Sequence, residues 1–104
     1  HGVRLAMEPK RILVRVDGGA QIGMGHVMRC LTLVKLLKEK APVEARFATR
    51  AGTEAAAWIR GQSYAVDEMP AQTDNSAEIA WTAGLVQAQK PDAVITDLRE
   101  FIPG

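Results

Sequence analysis

The feature that most restricts this chain is a rhythm, in which four short apolar runs alternate with segments of helical periodicity. Arg11 to Val16 reads RILVRV and ends at Asp17-Gly18-Gly19. Glu44 to Thr49 (EARFAT) alternates polar and apolar positions and ends at Arg50-Ala51-Gly52. Tyr64 to Met69 (YAVDEM) is the least apolar of the four. Asp92 to Asp97 (DAVITD) follows the break at Lys90-Pro91 and closes on a second aspartate. Runs this short, spaced by helices, are the mark of βαβ units and a parallel sheet.

The intervening segments supply the helices. From Val27 the apolar positions Val27, Cys30, Leu31, Val34 and Leu37 recur at helical spacing, with Leu33 and Leu36 widening the stripe. Lys35, Lys38 and Lys40 gather toward its end, where cations suit the helix dipole, and Pro42 stops it. A second helix spans Thr53 to Arg60, with Thr53 as cap and Gly61 as terminator. A third runs from about Ser76 to Ala88, with Asp74, Asn75 or Ser76 as its cap. Trp58 and Trp81 are expected to pack these helices on the sheet. Right-handed crossovers then predict an α/β fold, a Rossmann-like three-layer α/β/α arrangement with a four-stranded parallel sheet in the order 3-2-1-4. Ligands of such sheets gather beyond the carboxyl ends of the strands, where the winding reverses. Here that place lies between strands one and four, beside the first loop and Asp97.

Composition narrows the classes. At 104 residues the chain suits one domain, and 47% hydrophobic residues with a net charge of +1 argue against disorder. Thirteen basic residues against twelve acidic ones offer no electrostatic footprint for nucleic acid. No apolar run is long enough to span a membrane. Cys30 is alone, so a disulfide framework is not expected within the chain. Residues 1 to 10 lack the apolar core of a signal peptide, and the expected location is cytoplasmic. The opening His1-Gly2 suggests that residues 1–10 are a tag remnant or disordered leader, with the Rossmann-like domain over residues 11–104.

Chemistry concentrates in one loop. Asp17-Gly18-Gly19-Ala20-Gln21-Ile22-Gly23-Met24-Gly25-His26 leads directly into the first helix. Four glycines let the backbone approach a ligand closely, and its amides suit an anion such as phosphate. A dinucleotide fingerprint would need glycine where Met28 stands, and the second strand ends in Thr49-Arg50 rather than an acidic residue. A P-loop would need a lysine after the glycines. Neither nicotinamide nor ATP chemistry is expected. An imidazole ordinarily titrates near neutrality, so a histidine at position 26 is a candidate for proton exchange at cellular pH. Arg29, one turn on, can hold a phosphate or carboxylate. A bland reading, with His26 closing the loop and Arg29 in a surface ion pair, stands beside that one. A metal site would require His26, Asp17 and Asp97 to converge, and no helix carries two ligands at i, i+4, so none is expected.

The run Ile22 to Leu33 behind Asp17 and Gln21, of the form D-x-x-x-Q-I-G-x-G-H-x-x-R-C-L-x-L, resembles the amino-terminal signature of the UDP-2,4-diacetamido-2,4,6-trideoxy-β-L-altropyranose hydrolases of pseudaminic acid biosynthesis. Relatives of that family are named for spore-coat polysaccharide synthesis. The resemblance implies a GT-B-like fold of two Rossmann-type domains, of which this chain would be the amino-terminal half. It implies cleavage of UDP from a sugar by water, without cofactor or metal. His26 would be the base. Asp17 would orient the base or the sugar, and Gln21, Gly23, Gly25, Arg29 and Asp97 would line the substrate. Leu98 and Arg99 follow Asp97 where the family commonly has histidine and tyrosine, and Gly18 and Gly19 stand where serines are common. Most uridine diphosphate contacts would come from a carboxyl-terminal domain absent from these residues. Two alternatives accompany the hydrolase: a GT-B glycosyltransferase, in which an acceptor hydroxyl replaces water, and an isolated non-catalytic domain that self-associates as a homodimer.

Overall fold

A computed structural model describes residues 8–19 and 23–96. Strand β1 (Lys10–Arg15) is followed by helix α1 (Gly25–Lys40), β2 (Val43–Arg50), α2 (Glu54–Gly61), β3 (Ala65–Met69), α3 (Asn75–Gln89) and β4 (Ala93–Thr96). The strands form one parallel sheet in the order β3-β2-β1-β4, as the crossover rule predicts. This is a Rossmann-like α/β arrangement. β1 begins at Lys10, which pairs with Val43, so the sheet starts one residue inside the expected leader. Asp97 and Gln21 lie outside the described residues, as do residues 1–7.

Alternation along the strands sorts side chains between two faces. Ile12, Val14, Val16, Phe47 and Val66 point one way and meet Val27, Cys30, Leu31 and Val34 of α1 and Ala55, Ala56 and Ile59 of α2 in one buried cluster. The stripe on α1 is narrower than expected. Leu33 and Leu36 are 39% and 51% exposed, because the sheet beneath accepts only the Val27-Cys30-Leu31-Val34 row. Trp58 also departs from expectation. It is 47% exposed, since Ala55, Ala56 and Ile59 occupy the buried face of α2 and leave position 58 turned outward. Tyr64, just before β3, tilts against Phe47 at 5.2 Å between ring centroids, and Lys38 Nζ sits 4.6 Å over its ring.

Caps follow the expected chemistry. Thr53 accepts from the Ala55 amide at the start of α2, and Asp74 accepts from the Ala77 amide at the start of α3. Helix α3 lies over the opposite face of the sheet. Its half-buried stripe is Glu78, Trp81, Thr82, Leu85, Val86 and Gln89, and none of its residues is fully buried. Trp81 is thus half-buried, not fully buried. Among the described residues no helix is long and apolar enough to cross a membrane.

Candidate functional site

The loop after β1 leaves the sheet where β1 is paired on both sides, with β2 and with β4, at the position where the strand order reverses. Its path is set by close contact. A Cβ at Gly18 would lie 2.7 Å from Val27 Cγ2 and 3.0 Å from Met24 Sδ, so only glycine lets the loop lie against the first turn of α1. Gly19 and Gly23 then bond each other: the Gly19 amide donates to the Gly23 carbonyl at 3.0 Å, and the Gly23 amide donates back. Gly23 adopts φ +76°, a conformation that costs a side-chain-bearing residue about 1 kcal/mol or more. Those two amides thus close the loop rather than face a ligand, against the expectation that the glycine amides would line an anion site.

Helix α1 starts at Gly25 with no side-chain cap and no acidic residue in its first turn. The positive end of its dipole is therefore turned toward the loop. His26 is half-buried on that first turn, and an Arg29 Nη2 lies 2.9 Å from His26 Nδ1. A guanidinium only donates hydrogen bonds, so Nδ1 is the acceptor and the neutral ring carries its proton on Nε2. Gly25 has open space around its Cα, with nothing within 4 Å of a built Cβ.

Asp17 is placed differently from His26. Arg15 Nη1 and Nη2 donate to its two carboxylate oxygens at 2.8 and 3.0 Å, and the Arg50 amide donates to Oδ1 at 2.8 Å. Arg15 also donates to Glu78 Oε2 at 2.7 Å, and Arg50 Nη2 donates to Glu78 Oε1 at 3.1 Å. Two arginines and two carboxylates thus alternate around a closed cluster on the α3 side of the sheet. Arg50 Nη1 further donates to the Ala71 and Thr73 carbonyls, which ties in the turn before α3. Burial acts to raise the Asp17 carboxyl. The Arg15 and Arg50 hydrogen bonds and charges outweigh it and hold the group below the usual aspartate range. Burial likewise acts to lower Arg15, and its two carboxylate partners more than offset it. The sequence reading missed this cluster. Its signal was present, though, as Arg15 set between valines in the apolar run RILVRV, only 3% exposed.

Compared with protein-family models, curated proteins and solved structures, the chain matches none. The site is therefore read from its own chemistry. Among the described residues no group of three or more histidine, cysteine, aspartate or glutamate side chains is placed to hold a metal ion. A cavity of about 290 Å³ opens at the other end of the strands, lined in part by Arg11, Glu44, Arg46 and Gln89. Arg46 there is engaged by Asp67, through Nε at 2.9 Å and Nη2 at 3.1 Å, and that end of the sheet lies away from the glycine loop.

Proposed function

We propose that this chain is the amino-terminal, acceptor-side domain of a UDP-sugar hydrolase of surface-polysaccharide or nonulosonic acid synthesis. The reading rests on the loop sequence and its resemblance to the UDP-diacetamido-trideoxy-altropyranose hydrolases. The observation that supports it most is the position of His26. The histidine of the G-x-G-H motif stands on the first turn of α1, at the carboxyl edge of β1, where α/β sheets take their ligands.

In the proposed reaction a water oxygen bonds to the anomeric carbon while His26 takes one of the water's protons. The bond between that carbon and the phosphate oxygen breaks, and UDP departs with the electron pair. Arg29 and the start of α1 hold the diphosphate by charge and amide donors. Gly23 and Gly25 admit the substrate. Asp17, clamped by Arg15 and Arg50, fixes the start of the loop that leads into the helix carrying His26. The nucleotide itself would be gripped mainly by a second domain. Asp97 and Gln21 keep their proposed places beside the sugar on the strength of the motif alone.

A positioned base contributes about 10²–10⁴-fold, so His26→Ala in the intact parent protein is expected to lower UDP release by that factor. UDP release from a UDP-sugar at the unaltered rate would overturn the assignment. Release that depends strictly on an added acceptor would point to the glycosyltransferase instead.

A further inference from the structure

The Arg15-Asp17-Arg50-Glu78 cluster is closed upon itself, and nothing in the structure says what would cover the α3 face. The cavity at the amino ends of the strands is different, because charges of both signs line it and are not paired with each other.

We infer that this cavity is a second ligand site, for a small zwitterion of the α-amino acid class with an aliphatic side chain. It lies at the opposite end of the sheet from the glycine loop and owes nothing to the hydrolase reading. Alternation along β1 and β2 sends Arg11, Glu44 and Arg46 to the α3 side of the sheet, where Gln89 at the end of α3 closes the space beside them. Arg11 and Glu44 are register partners on adjacent strands, about 4.8 Å apart at the backbone and close enough for their side chains to meet. Among the described residues, neither the Arg11 guanidinium nor the Glu44 carboxylate nevertheless makes a hydrogen bond or an ion pair within the protein.

The other two polar groups have capacity left. Arg46 gives Nε and Nη2 to Asp67 and keeps the N–H groups of Nη1. Gln89 gives Nε2 to Asp67 and keeps its carbonyl oxygen as an acceptor. Guanidinium donors from Arg11 and Arg46 suit a carboxylate, and the oxygens of Glu44 and Gln89 suit an ammonium. A simple anion would meet the like charge of Glu44, and a simple cation that of Arg11 and Arg46. One molecule with both charges a few bonds apart satisfies both sets. Ala45, Ala65 and Pro91 add an apolar wall for its side chain. A volume of about 290 Å³ lies at the lower edge of the roughly 300–1,000 Å³ typical of small-molecule sites, which suits a ligand of this size. Arg11 and Glu44 are exposed, so each charged contact is weak and the affinity is modest.

The test is an amide NMR titration of the isotope-labelled 104-residue chain with L-valine. Saturable binding is expected with a Kd of about 1 mM or below. Shifts should fall on the Ala45 and Ala65 amides and the Gln89 side-chain amide, and not on Gly25 or His26. Isovalerate, which lacks the ammonium, and isobutylamine, which lacks the carboxylate, should each bind about tenfold more weakly or worse. Arg11→Gln and Glu44→Gln should each weaken valine by about threefold or more, while Glu44→Gln tightens isovalerate. Both positions are exposed, so both variants are expected to melt with the wild type. No saturable shift up to about 10 mM valine would overturn the inference. So would shifts confined to the glycine loop and the first turn of α1, or isovalerate binding as tightly as valine, which would mark a plain anion site. Unchanged valine affinity in both folded variants would overturn it as well.

Discussion

Arg15 and Asp17, two residues apart across the end of β1, are joined by two parallel hydrogen bonds of 2.8 and 3.0 Å between guanidinium and carboxylate. The pair places the first residue of the glycine loop under the control of a buried cation rather than of the solvent. Arg15 is 3% exposed, so its charge must be answered within the protein.

Asp17→Asn should therefore destabilise the fold by about 1–3 kcal/mol at neutral pH, because Arg15 then keeps only Glu78 as a charged partner. The Asp17 carboxyl is held below its ordinary value in the folded state. Its contribution to stability is thus complete above the unfolded aspartate value of about 4 and fades as pH falls through the lower folded value. Urea unfolding at pH 7 and in acid should show the gap between wild type and Asp17→Asn narrowing on acidification. A gap that widens would contradict the pairing.

Two glycines of the loop should respond in opposite ways. Gly18→Ala drives a methyl to 2.7 Å from the buried Val27, which is stiff at χ1, and is expected to cost about 1–3 kcal/mol. Gly25→Ala meets open space at the start of α1 and should be neutral, or stabilising by up to about 1 kcal/mol. If Gly25→Ala melts at or above the wild-type temperature yet lowers UDP release in the intact protein, position 25 serves ligand approach and not folding.

Neighbouring residues on α2 separate burial from hydrophobicity. Ile59 is fully buried, and Ile59→Ala should cost about 2–5 kcal/mol. Trp58, despite its larger side chain, is 47% exposed, and Trp58→Ala should cost about 1 kcal/mol or less by denaturant titration.

Helix α3 is held largely by its polar ends, through Glu78 to Arg15 and Arg50 and through Gln89 to Asp67. Its amides are expected to exchange with deuterium faster than those of α1, whose Val27, Cys30, Leu31 and Val34 are buried. Glu78→Gln should widen that difference and leave α1 protection near its wild-type level. Equal protection of the two helices would show that apolar contact carries α3.

The strand order and the buried row of α1 were legible because they depend on periodicity and handedness, which residues such as Val27, Cys30, Leu31 and Val34 carry locally. Three things were not. Leu33, Leu36 and Trp58 are apolar in sequence, and their exposure is decided by how much sheet lies beneath each helix. Arg15 looks like an outward-facing strand residue until Glu78, 63 positions away, arrives over it. That His26 and Arg29 share a helical face was legible from their spacing, and their hydrogen bond was not. The protonation pattern between them was not, because it depends on which ring nitrogen faces the guanidinium.

The mutual bonds between Gly19 and Gly23 have an evolutionary consequence. They pin together the two ends of the segment at positions 20–22, so its length is uncoupled from the geometry on either side. Closing a longer loop costs only about 0.6 kcal/mol for each doubling. Insertions and exchanges between those two glycines can therefore be accommodated while β1 and the first turn of α1, with His26 upon it, stay where they are.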